Sequence, residues 1–163
     1  MDRRDFFTAG VAATVAAGAW AAVPAEAEGD NDQGIVGSWF GTVTATDPPL
    51  GQFNDLISFN QDGVVTESRR YLVPGTPIGT LLETTGHGAW KKTGDHRFEA
   101  FFRFLLQNAD TGDPVGTDNV RLSLTVERAG NALTGTFQSQ VKDTADNVLI
   151  TVTGEYTATR ITV

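Results

Sequence analysis

The chain has 163 residues, with 12 Lys+Arg against 20 Asp+Glu and a net charge of −8. That acidic balance argues against nucleic acid as a partner, because phosphate binding needs clustered positive charge, and against attachment to anionic membrane surfaces. There is no cysteine, and Met1 is the only methionine, so disulfides, thiol catalysis, iron–sulfur clusters and cysteine- or methionine-ligated metals are excluded.

Arg3-Arg4 opens the chain, with Phe6-Phe7 close behind, and an uncharged run of 15 residues follows from Ala9 to Val23. Pro24 and then Ala25-Glu26-Ala27 close this region with a small-x-small pattern. This is the pattern of an export signal, and Arg3-Arg4-x-Phe6-Phe7 resembles the twin-arginine type, which carries proteins across a membrane already folded. The run falls short of the roughly 20 residues a spanning helix needs. Cleavage after Ala27 is therefore expected, with a cut after Ala25 as the alternative. On this reading residues 1–27 are a signal peptide that meets the membrane only during export. The mature protein is expected to be periplasmic or extracellular. Residues 28–34, EGDNDQG, are polar and aperiodic and read as a flexible acidic leader.

From Ile35 onward apolar and polar residues alternate with period 2, and turn signals recur at short intervals. The first strand is predicted over Ile35 to Thr46, ended by Asp47-Pro48-Pro49. The second runs from Gln52 to Asn60, with Phe53, Asp55, Ile57 and Phe59 on one face. Asn60-Gln61-Asp62-Gly63 is a hairpin turn. A third strand covers Val64 to Val73, and Pro74-Gly75-Thr76-Pro77 breaks it. Ile78 to Thr85 reads either as a short strand or as a structured loop.

Gly86 to Lys92 is a strand, and Thr93-Gly94-Asp95 turns into His96 to Leu106. There Phe98, Ala100, Phe102 and Phe104 oppose Arg97, Glu99 and Arg103, with Phe101 on the charged face. Gln107 to Thr117 reads as a polar loop. Asp118 to Arg128 alternates cleanly. Ala132 to Lys142 places Leu133, Gly135, Phe137, Ser139 and Val141 together. Val148 to Ile161 is the last strand.

The expectation is a single all-β domain over residues 35–163, an antiparallel up-and-down barrel of eight or nine strands. Closure removes exposed edges, and eight strands leave an interior filled by side chains or holding one small ligand.

Gly37-Ser38-Trp39 stands at the start of the first strand and Arg160 near the end of the last. This pair resembles the calycin pattern of lipocalins and related barrels. The resemblance implies that Gly37, Trp39 and Arg160 form a barrel floor, with the arginine over the indole. Cation–π attraction and capping of carbonyls would suit that arrangement. The chain also resembles small exported bacterial lipocalin-like proteins without an assigned function. The matching stretches are Phe59-Asn60-Gln61-Asp62-Gly63, Gly86-His87-Gly88-Ala89-Trp90, Thr93-Gly94-Asp95 and Thr159-Arg160-Ile161.

The candidate chemistry is sparse. His87 and His96 are the only histidines, and neither lies in a ligand spacing that zinc or iron favours, so no metal and no cofactor is expected. No serine sits in a Gly-x-Ser-x-Gly elbow, and no catalytic residue is assigned. The group that stands out is Asp55, Glu67, Arg69, Arg70 and Tyr71. Asp55 shares the apolar face of its strand. Arg69 and Arg70 are adjacent, so in a regular strand one must face the barrel. The expected alternative is that the strand end lies beyond the core, or a bulge puts both arginines in water.

Trp90, Phe98, Phe102 and Phe104 are candidates to line a cavity or to fill the barrel. The leading expectation is a non-enzymatic module binding a small apolar molecule, gated by the Pro74 to Thr85 segment. The competing expectation is an enzyme similar to allene oxide cyclase-like or dirigent-like barrels, with Glu67, Arg69 or Arg70, and Tyr71 as acid–base or orienting groups. A structural domain with a filled barrel is the third.

Overall fold

The computed structural model describes residues 34–70, 72–76 and 79–163, the segment 72–76 by its backbone course alone. Residues 1–27, nearly all of the acidic leader, and Tyr71 lie outside the described residues. Ten strands follow one another: β1 (Gly37–Asp47), β2 (Gly51–Phe59), β3 (Val64–Arg69), β4 (Leu72–Thr76), β5 (Gly79–Glu83), β6 (Gly86–Gly94), β7 (Arg97–Asn108), β8 (Pro114–Val126), β9 (Ala132–Asp143) and β10 (Val148–Arg160).

Eight of them close a barrel in the order β1-β2-β3-β6-β7-β8-β9-β10, with β10 returning to β1 and every pairing antiparallel. The β4–β5 hairpin extends the wall, because β5 pairs with the far end of β7, Glu83 opposite Leu106. The up-and-down barrel expected from the alternation is the architecture observed.

The period-2 pattern decides which side of the wall each residue faces. On β7, Phe98, Ala100, Phe102, Phe104 and Leu106 are buried while the intervening residues face out. Val120, Leu122, Leu124 and Val126 do the same on β8. Phe101, on the charged face of β7, is half-buried on the outer wall, with the Arg121 guanidinium 5.0 Å from its ring centre. Together with Trp39, Phe59, Phe137 and Tyr156 these inward residues, Leu106 excepted, form one continuous core. Burial of such aromatic and branched side chains, about 1.5–3 kcal/mol each, is the main force holding the closed sheet.

Three segments differ from the sequence expectation. The third strand stops at Arg69, and Pro74 lies inside β4. Proline is tolerated there because β4 is an edge strand pairing only with β5, and the register slips between Val73 and Thr76. The ambiguous 78–85 stretch contains β5, so the expected gating loop is a hairpin. The polar 107–117 stretch is mostly ladder, Gln107 pairing with Pro114 across a tight turn. Its polar side chains are compatible with strand because residues 107–117 are all exposed or half-buried.

One end of the barrel, its floor, is closed by a specific cluster. Trp39 is fully buried, and its Nε1 donates to Ile35 O at 2.8 Å. The Arg160 guanidinium lies 4.2 Å from the Trp39 ring centre. Its nitrogens donate to three carbonyls, Gly34 at 2.8 Å, Val36 at 2.6 Å and Gly130 at 2.5 Å. Burial lowers its pKa, yet an arginine stays charged at any ordinary pH. Gly37, at φ 134°, has a backbone conformation that side-chain-bearing residues rarely adopt, and its missing Cβ leaves room for Arg160 Nη1.

Candidate functional site

The upper half of the barrel, away from the floor, holds an unusual set of buried polar side chains. Five inward positions of the apolar walls carry them: Asp55 on β2, Glu67 and Arg69 on β3, Asp118 on β8 and Ser139 on β9. Asp55, Glu67 and Asp118 are 4%, 2% and 3% exposed, values rarely met for carboxyls without partners. Glu83, at the end of β5, reaches in from the hairpin that extends the wall.

Arg69 organises one half of the cluster. Its Nε and Nη2 donate to the two Glu83 oxygens at 2.7 and 2.9 Å, a bidentate pair. Nη2 also reaches Asp118 Oδ2 at 2.6 Å, and Ser139 Oγ donates to Asp118 Oδ1 at 2.6 Å. The guanidinium lies 4.2 Å from the Phe104 ring centre and 5.5 Å from that of Phe53. Burial opposes its charge, but Asp118, Glu83 and Glu67 outweigh that effect and raise its pKa. The expectation that both arginines stand in water is therefore corrected: Arg69 faces inward and Arg70 outward. The reason is the unbroken register of β2 with β3, Asp55 opposite Arg69, which holds the alternation to the last residue of the strand.

The other half is a carboxyl pair. Tyr156 Oη donates to Asp55 Oδ1 at 3.0 Å. The Glu67 carboxyl faces Asp55, and no donor among the described residues reaches its Oε2. Two carboxylates cannot both ionise here. Burial pushes Glu67 up to about 9, against the pull of Arg69 and with the help of Asp55. Burial also raises Asp55, while hydrogen bonds from Glu67 and Tyr156 act the other way. At neutral pH Glu67 keeps its proton and gives it towards Asp55. Burial and the Asp55 charge raise the Tyr156 hydroxyl, which stays protonated. Gly41 makes room for this half, since a Cβ there would overlap the Asp55 carboxylate and the Tyr156 hydroxyl.

The remaining candidates fall elsewhere. Trp90 belongs to the floor half: its ring packs edge-on against Phe59 and Phe98 at 6.2 and 5.8 Å, and its Nε1 donates to Asn60 O. Phe98 is placed with it, whereas Phe102 and Phe104 pack together at 5.7 Å and Phe104 lies under Arg69. His87 is exposed, and His96 occupies a turn at φ 55° within 3.5 Å of Asp95. No group of three or more potential metal ligands occurs among the described residues.

Sequence reasoning missed Glu83, Asp118 and Ser139. Ser139 was legible as an inward position from its place between Phe137 and Val141. Asp118 sat at a strand boundary placed too late, and Glu83 in a stretch whose structure was ambiguous. Compared with known proteins, the chain matches no family model, no curated protein and no solved structure.

Proposed function

We propose that the protein is an exported, non-enzymatic barrel that binds one small, largely apolar molecule at its upper end. Leu50 is exposed in the β1–β2 turn at that end and Val148 and Leu149 are exposed at the start of β10, with half-buried Phe53 and Ile150 close behind on β2 and β10. Beneath them lies the polar cluster, so an apolar body and a polar handle would both find partners. The observation that carries this reading is Glu67 Oε2, a buried oxygen with no donor among the described residues. Buried polar atoms are nearly always satisfied, and a ligand hydroxyl would complete this one.

The test is titration of the full chain with Nile red, a neutral apolar dye. Saturable one-to-one uptake is expected, with dodecanol displacing the dye better than dodecane. Glu67→Leu should weaken dodecanol about tenfold, the loss of one hydrogen bond to a buried partner. Absence of saturable uptake, or equal displacement by dodecane, refutes the reading.

A second reading has one observation in its favour. Asp55, Glu67 and Tyr156 form a buried group able to hold and return a proton, as an allene oxide cyclase-like or dirigent-like enzyme acting on an apolar substrate would require. Turnover of the bound molecule, lost in Asp55→Asn with affinity retained, would select it. The close packing beside Gly41 and Gly86 supports the third reading, a structural domain with a filled barrel, which failure of dye uptake would leave standing.

A further inference from the structure

The outer wall carries a second polar constellation, on the opposite side of the sheet from the buried cluster and independent of the function proposed for it. A concavity of about 170 Å³ lies across β7, β8 and β9. The ladder pairs Arg103 with Asn119 and Asn119 with Gln140, and one row along, Phe101 with Arg121 and Arg121 with Gln138. These side chains share the outer face and line the concavity.

The base of the concavity is preformed. Asn119 is 7% exposed although it points outward. Its Oδ1 accepts from Arg103 Nε at 2.5 Å and its Nδ2 donates to Thr117 Oγ1 at 3.2 Å. That leaves both terminal nitrogens of Arg103 unengaged among the described residues. The Arg121 guanidinium sits over the Phe101 ring, 5.0 Å from its centre, and neither arginine meets a carboxylate among the described residues. This is unusual in a chain with net charge −8, where acidic partners are plentiful. Lys142, on the rim, is already tied to Asp146 at 3.1 Å. No hydrogen bond among the described residues engages the side-chain amides of Gln138 or Gln140.

Two guanidiniums with free donor edges suit one planar oxyanion, held in a fork. Amide side chains beside them suit neighbouring hydroxyls, because each presents a donor and an acceptor side by side. The volume admits one small unit and excludes a drug-sized molecule. We infer that this outer-wall concavity binds a sugar acid, its carboxylate between Arg103 and Arg121 and its hydroxyls on Asn119, Gln138 and Gln140. The sugar acid could be free or the acidic unit of a polysaccharide.

The experiment is a titration of the full chain, labelled with nitrogen-15, followed by amide chemical shifts. Glucuronate should move the resonances of Arg103, Asn119, Arg121 and Gln138 in a saturable manner and leave β1 to β3 unmoved. Glucose should move none of them. Arg103→Gln and Arg121→Gln should each weaken glucuronate at least tenfold. Both sites are exposed, and unchanged spectra elsewhere confirm that the variants fold. A glucuronic acid polymer binding more tightly per unit than the monosaccharide assigns the polymer as the source, and equal affinity assigns the free acid. Absence of shifts at these amides overturns the proposal, as does equal binding of glucose. Inorganic phosphate reproducing both the affinity and the shift pattern overturns it too, since the hydroxyls would then contribute nothing.

Discussion

Replacing Arg69 by methionine tests the central claim about the interior, that one buried cation holds two buried carboxylates. Methionine roughly keeps the volume and the contact with Phe104 but removes three charge-assisted hydrogen bonds, two to Glu83 and one to Asp118. The side chains involved are 11%, 6% and 4% exposed, so water cannot replace the lost donors. Removing one partner of a buried pair costs about 3–5 kcal/mol, chiefly because a charge is stranded.

Here two carboxylates are stranded, and the cost should lie at or above the upper end of that range. A domain of this size has about 5–15 kcal/mol of stability in all, so Arg69→Met should lose a large part of it. Urea denaturation at pH 7, followed by tryptophan fluorescence, measures the loss. The triple variant Arg69→Met, Glu83→Gln, Asp118→Asn should recover most of it, since the neutral amides strand no charge. A cost below about 1 kcal/mol, the range of exposed pairs, would refute the buried network. So would a triple variant no more stable than the single one, because the penalty would then not be electrostatic.

Trp39→Ala should cost about 3–5 kcal/mol by the same denaturation assay, since the indole is fully buried and carries the guanidinium of Arg160. A midpoint close to the parent's would dismiss the floor cluster as a stabilising element. The Glu67 side chain gives a pH signature. Its carboxyl is pushed from 4.5 up to about 9 in the folded chain. The folded state thus keeps a proton that the unfolded state releases above about 4.5. The contribution of this group to stability is therefore full below that pH and is lost as pH rises towards 9, with a slope approaching about 1.4 kcal/mol per pH unit. Glu67→Gln carries no such proton and should flatten the slope. Parallel pH profiles for parent and variant would show that Glu67 titrates normally.

The architecture was legible from the residue pattern alone. Period-2 alternation specifies which side chains of each strand face the core, and Gly-containing turns specify that neighbours are antiparallel. Together they leave a closed meander as the arrangement that buries the apolar face and hides its edges. Gly37, Trp39 and Arg160 were legible only through the resemblance to the calycin pattern, and the pairing of β1 with β10, Trp39 opposite Arg160, is what brings them together. The same alternation placed Asp55, Ser139 and Phe98, Phe102 and Phe104 of β7 inside.

Tertiary structure alone decided which polar residues meet. Arg69 and Asp118 are far apart in sequence, and their contact depends on the stagger of eight strands around the barrel, a quantity no single strand encodes. The choice between Arg69 and Arg70 turned on whether β3 kept its register to its last residue, which the β2 ladder enforces and the Arg-Arg pair does not reveal. Glu83 joined the cluster only because the β4–β5 hairpin folds onto the end of β7. The charge states of Glu67 and Asp55 follow from how much water the closed wall excludes, and that is a property of the whole barrel.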